Sequence, residues 1–296
     1  MSSGHSSTGP GDLEHLTFEN GDVRLHAVAA GPSDGPVVLL LHGFPEFWYG
    51  WRHQIAPLAA AGFRVVVPDQ RGYNTSSKPR GVARYRIREL ASDIVAIIDQ
   101  LGGRSVYLAG HDWGAMVAWT VAALHRDKVT RLAILNVPHP GVMFRFLLTH
   151  PGQLRRSWYA FFFQMPRLPE LLFSAWNFRA GVQSMVRTSR PGTFSPEDLS
   201  RYRSAWAQPG ALTATINWYR ALFRYPGDSR AGRIEVPTRI LWGRRDAFLL
   251  PSLATASDRK CARSEIVWFD RATHWLHLEE PELINSALIN FFAELS

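Results

Sequence analysis

The stretch LAGHDWGAM, residues 108–116, decides how the chain is read. Its centre, Gly110 to Gly114, carries the glycines of G-x-S-x-G, the sharp strand-to-helix turn that lifts a nucleophilic serine above the end of a parallel strand. Asp112 stands where the serine would be. The apolar run SVYLA leads into the turn, and Gly110, Gly114 and Ala115 fall where the backbone must bend tightly. Aspartate is also a favoured helix N-cap. A strand before and a helix after favour the nucleophile reading.

Around this turn, short apolar runs alternate with a helical period. Runs at 37–41, 64–67, 105–109 and 131–135 each end in turn residues, as strands buried on both faces do. Between the second and third, Ile87, Leu90, Ile94, Ile97, Ile98 and Leu101 keep helical spacing until Gly102-Gly103 stops them. The alternation predicts an α/β fold with a mostly parallel, doubly wound sheet. Residues 17–18 and 24–29, split by ENGD, predict an antiparallel hairpin at one edge. After Asn136 the texture changes: residues 138–230 are rich in aromatics and arginine and show no strand alternation, and TRILWG and SEIVWFD then restore the strands. The expected organisation is a polar tail over 1–15, a core over 16–137 and 231–296, and a helical lid over 138–230. The lid follows the sixth strand and covers the carboxyl ends of the strands, where open α/β sheets bind ligands.

Composition narrows the function classes. The 296 residues carry a net charge of +8, but no block of about five or six like charges, so nucleic-acid binding is not expected. No apolar stretch reaches the roughly 20 residues of a membrane span, and the N-terminus MSSGHSSTGPGDL lacks the order of a signal peptide. Cys261 is the single cysteine, so no intrachain disulfide forms and a cytoplasmic location is expected.

A nucleophile on such a turn needs a base, and the base needs an orienting group; the order in this arrangement is nucleophile, acid, histidine. Asp246 follows the strand ILWG, and His274 follows IVWF, which puts both on the sheet edge that bears Asp112. His42 belongs to a loop, His111 is locked beside the turn, and His277 is expected on a surface helix. Backbone N–H groups of Trp113 and of Phe44, in HGFP after the third strand, form the expected oxyanion hole. A carboxylate nucleophile suits an sp³ carbon with a leaving group. It forms an alkyl ester that water, activated by His274, then cleaves at the aspartate's own carbonyl. Epoxides and alkyl halides are such electrophiles.

HGFPEFWYGWRHQI, PDQRGYNTSSKP, AGHDWGA, NVPHP, NWYR and ATHWLHLEEPE together resemble the epoxide hydrolase branch of the α/β-hydrolase superfamily, over a match from about Val23 to the C-terminus. The resemblance implies a soluble enzyme without cofactor or metal, a helical cap, and Asp112, His274 and Asp246 as nucleophile, base and acid. Its partners would be a small apolar epoxide and water, and the protein a monomer or homodimer. The resemblance also implies two cap tyrosines that protonate the departing alkoxide. One matches Tyr219. The other is expected immediately before F-Q-x-P, where this chain has Phe162, so Tyr219 acts alone or with Tyr159 or His139. Trp158, Tyr159, Phe162, Trp218 and His139 are candidate pocket walls. Haloalkane dehalogenase is the nearest alternative, but Phe44 replaces the asparagine that family resembles in its oxyanion loop. A catalytically weak ligand-binding homologue is the other.

Overall fold

The computed structural model describes residues 13–229 and 231–294. Eight strands form one sheet: β1 (Glu14–Asn20), β2 (Val23–Ala30), β3 (Val37–Leu41), β4 (Arg64–Pro68), β5 (Val106–His111), β6 (Val129–Leu135), β7 (Thr238–Gly243) and β8 (Ser264–Phe269). Their order across the sheet is β1-β2-β4-β3-β5-β6-β7-β8. The expected hairpin is β1–β2, paired Glu14 to Ala29 through Asn20 to Val23, and β2 is also antiparallel to β4. The remaining pairs are parallel. β1 begins at Glu14, so Glu14 and His15 belong to the sheet rather than to a tail, and residues 1–12 lie outside the described residues.

The central strands are apolar on both sides because both faces are covered. On one face Trp51, just before α1 (Arg52–Ala60), and Ile55 and Leu58 of that helix pack against the sheet. On the other, α2 (Ile87–Gln100) buries its stripe of Leu90, Ile94, Ile97 and Ile98. α3 (Trp113–Leu124) is buried from Trp113 to Ala122. That all-round burial explains why α3 has no amphipathic period.

Between β6 and β7 the chain is helical: α4 (Pro140–Thr149), α5 (Pro151–Arg156), α6 (Trp158–Phe162), α7 (Leu168–Thr188), α8 (Pro196–Trp206) and α9 (Ala211–Arg224). α7 is broken in the middle, where Trp176, Asn177 and Phe178 take left-handed φ angles of 49°, 54° and 59°. Phe173, Tyr202 and Trp206 of this segment pack with Phe47 and Trp275 of the sheet-edge loops in a separate aromatic cluster. The last helices are α10 (Ser252–Asp258), α11 (Leu276–Glu279) and α12 (Pro281–Ala293), and α12 closes the α1 face with Leu288 and Phe292. Among the described residues no helix is long and apolar enough to cross a membrane.

Candidate active site

Asp112 joins β5 to α3 with φ 50° and ψ −125°, a conformation that L-residues rarely adopt and that costs on the order of 1–3 kcal/mol. Its carboxylate makes no helix-cap hydrogen bond, which removes the capping explanation. Instead Oδ1 accepts from the Phe44 N–H at 2.7 Å, and Oδ2 lies 3.4 Å from His274 Nε2. Two glycines make this approach possible. A Cβ on Gly43 would come 2.2 Å from Asp112 Cβ, and one on Gly114 would come 2.2 Å from the Leu41 carbonyl.

Asp246, in the loop after β7, is fully buried and saturated. Its Oδ1 accepts from the N–H groups of Phe248 (2.7 Å) and Leu249 (3.0 Å). Its Oδ2 accepts from His274 Nδ1 at 2.8 Å and from the Asn136 amide at 3.0 Å. Three loops from three strand ends thus converge on one histidine. Asn136 is a residue that the sequence reading passed over. With φ 51° at the end of β6, its side chain also accepts from Gly243 N–H (2.6 Å) and donates to the Thr273 carbonyl (2.8 Å). Asparagine tolerates the left-handed region, and its place directly after a strand, in NVPHP, was the available signal.

Burial alone would push His274 down, but the charges of Asp246 and Asp112 hold it up at about 10. Burial likewise pushes Asp112 up, and the hydrogen bond and charge of His274 more than offset this, leaving the carboxyl below its ordinary value. The two shifts act in the same sense, favouring an imidazolium at His274 beside a carboxylate at Asp112. Behind it, His111 Nδ1 lies 2.9 Å from a Glu46 carboxylate oxygen, and its Nε2 lies 2.9 Å from the His274 carbonyl. His277 completes this group, with Nε2 3.4 Å from Glu46. The expectation of a surface position for His277 is wrong: it is fully buried beneath the site, because α11 turns inward against Trp51.

A cavity of about 650 Å³ opens above Asp112 and His274, walled by Phe44, Phe162, Phe163, Phe173, Phe248 and others. A second hollow of about 80 Å³ is lined by Met116, Val137, Phe144, Leu147, Leu222 and Phe223 among others. The two share Asp112, Tyr159 and Tyr219, which stand at their junction. The rings of Tyr159 and Tyr219 lie 5.9 Å apart, and burial, reinforced by the negative charge of Asp112, raises both phenols, Tyr219 well above its ordinary value. Both stay protonated at any physiological pH.

The sequence-derived walls divide. Trp158, Tyr159 and Phe162 line the large cavity. Trp218 does not line either hollow: its indole donates to the Arg71 carbonyl at 3.0 Å and its ring packs on Tyr73 and Trp113. A residue next to Tyr219 on a helix points about 100° away from it. His139 is also elsewhere. It caps α4 by accepting from Gly141 N–H, its Nε2 donates to the Gly232 carbonyl at 3.0 Å, and burial lowers it to about 4, so it is neutral and its one ring proton is engaged away from the cavities.

This constellation, at the carboxyl ends of a parallel sheet beneath helices inserted between β6 and β7, defines an α/β hydrolase. A model of the alpha/beta hydrolase fold matches residues 36–281. The chain is 42% identical to the AB hydrolase superfamily protein YfhM of Bacillus subtilis, over 91% of this chain and 94% of that protein. It is 38% identical to epoxide hydrolase 2 of Caenorhabditis elegans, over 95% of this chain and 80% of that protein. A crystal structure of Bacillus megaterium epoxide hydrolase in complex with an inhibitor superposes with a TM-score of 0.85 at 29% identity, covering 95% of this chain and all of that one. The chain belongs to the epoxide hydrolase family of the α/β-hydrolase superfamily.

Proposed function

We propose that the protein converts epoxides to vicinal diols in two covalent steps. The observation that carries the reading is the meeting of Asp112 with buried Tyr219 and half-buried Tyr159 at one junction, opposite a histidine held by a second carboxylate. Asp112 Oδ1 is engaged by Phe44, so Oδ2 attacks an epoxide carbon. The carbon–oxygen bond of the ring breaks, and the alkoxide takes a proton from Tyr159 or Tyr219.

Ester formation removes one of the two negative charges that hold the His274 proton. The imidazolium becomes a stronger acid, and the proton it sheds returns to the tyrosine that gave one to the alkoxide. Neutral His274, still fixed by Asp246 through Nδ1, can then take a proton from water. The hydroxide attacks Asp112 Cγ. The negative charge that develops on Oδ1 meets the Phe44 N–H already placed there, together with the N–H of Trp113, which heads α3 and has no partner within the helix. Collapse releases the diol and restores the aspartate.

Two phenolic donors suit a leaving alkoxide, which must acquire a proton. A departing halide needs no proton, and this favours epoxides over haloalkanes. Assaying diol formation from styrene oxide beside chloride release from a chloroalkane tests the proposal. Diol without chloride supports it, and chloride without diol contradicts it.

A further inference from the structure

Exposed apolar side chains are concentrated on the helical cap. Apart from Leu13, Leu124 and Leu283, every large apolar side chain that stands exposed among the described residues lies between Leu148 and Val186. Single exposed leucines are ordinary on a protein surface, whereas contiguous apolar surface marks an interaction site. The first half of α7 shows the pattern most clearly. Phe173 turns inward and is 8% exposed, while Leu168, Leu171 and Leu172, three and four positions apart, share the outward face. At the break that follows, Trp176 is 79% exposed, and Trp158 of α6 is 64% exposed. Trp158 and Leu172 also line the large cavity, so the outward apolar surface is continuous with the cavity mouth.

The surroundings are basic. Between residues 141 and 189 the chain has six arginines and a single acidic residue, Glu170, which Arg220 holds at 2.7 Å. Arg155, Arg167 and Arg179 are exposed there. Leucine and tryptophan beside arginine compose surfaces that lie in a lipid headgroup layer: the apolar groups enter it, indoles sit at its boundary, and guanidinium groups meet anionic lipids. We propose that the α6–α7 face of the cap docks on anionic membranes, lying on the bilayer without spanning it and bringing the cavity mouth to the lipid. A second copy of the chain fits this face less well. A two-fold contact sets the same surface against itself. Arg155, Arg167 and Arg179 would then meet their own equivalents, with no acidic residue of α4–α7 free to intervene. Docking of this kind does not depend on the epoxide reaction proposed above.

Flotation with lipid vesicles tests the docking. The wild type should rise with vesicles of equal parts phosphatidylcholine and phosphatidylglycerol, stay behind with phosphatidylcholine alone, and be released by salt as the surface charges are screened. Arg167→Gln and Arg179→Gln should each weaken partition about fivefold, the effect of removing roughly one cation at an anionic surface. Leu171→Ser combined with Trp176→Ser should weaken it on the order of tenfold or more. All four side chains are exposed, so unfolding midpoints should stay at the wild-type value, and release by salt reads the charge contribution without any substitution. No partition of the wild type into the mixed vesicles, or equal partition into both kinds, overturns the proposal. Partition that survives the Leu171 and Trp176 substitutions also overturns it, because the contact would then be charge alone. A dimer in analytical ultracentrifugation that Trp176→Ser abolishes, while vesicle binding is unchanged, would assign the face to self-association instead.

Discussion

His274 Nε2 lies 3.4 Å from Asp112 Oδ2 while its other nitrogen bonds Asp246. One imidazole is thereby shared between two carboxylates, of which the proposed reaction alkylates only Asp112. In the proposed cycle this asymmetry sets the order of events, since the proton held by two charges is released when one of them is consumed.

The same pairing makes a stability prediction. His274 is raised in the folded state, to about 10, so its contribution is fully present below the ordinary imidazole value and is lost as the pH rises through about 10. Denaturant unfolding of the wild type and His274→Gln should show a clear difference at neutral pH that narrows above about pH 10. A difference that grows with pH would show that His274 is neutral in the folded protein.

Tyr159 and Tyr219 are expected to act as a pair. Tyr159→Phe and Tyr219→Phe should each slow alkylation in single turnover by ~10²-fold, by analogy with the removal of one oxyanion donor. If Tyr159→Phe leaves the rate unchanged, Tyr219 is the sole acid.

Gly43→Ala tests the crowding at the nucleophile. Because the added methyl would come 2.2 Å from Asp112 Cβ, one of the two loops must shift. The expected cost is about 1–3 kcal/mol of stability, with a loss of activity larger than the loss of folded protein explains. Unfolding midpoints measured beside kcat separate the two effects.

Asn136→Ala removes the link between the β6 terminus and the loops carrying Asp246 and His274, leaving the Gly243 N–H without its acceptor. About 1–3 kcal/mol should be lost in denaturant unfolding. Diol release should fall more than alkylation, since His274 serves the second step. Equal effects on both steps would place Asn136 outside the orientation of His274.

The convergence of Asp112, Asp246 and His274 was legible in the sequence because each lies in the turn or loop just after an apolar strand, and the ends of parallel strands converge whatever lies between them. Tyr159 was harder to place. Counted along the sequence, the residue before F-Q-x-P is Phe162, which the structure puts in the large cavity without a donor. Counted by helix face, Tyr159 lies one turn before Phe163, and their rings meet at 6.0 Å. Trp218 misled for the same reason, as neighbours in sequence diverge on a helix. His277 and His139 have polar partners drawn from loops far away in the chain, Glu46 and Gly232, and no local pattern announces such pairings.

The central claim is that Asp112 becomes covalently alkylated. Mass spectrometry of His274→Gln after a single turnover with styrene oxide tests it most directly, because this variant lacks the base for the second step. The account predicts an adduct of substrate mass on the Asp112 peptide, absent when Asp112 is replaced by Asn. Diol formed by His274→Gln at the wild-type rate, with no adduct on that peptide, would contradict it.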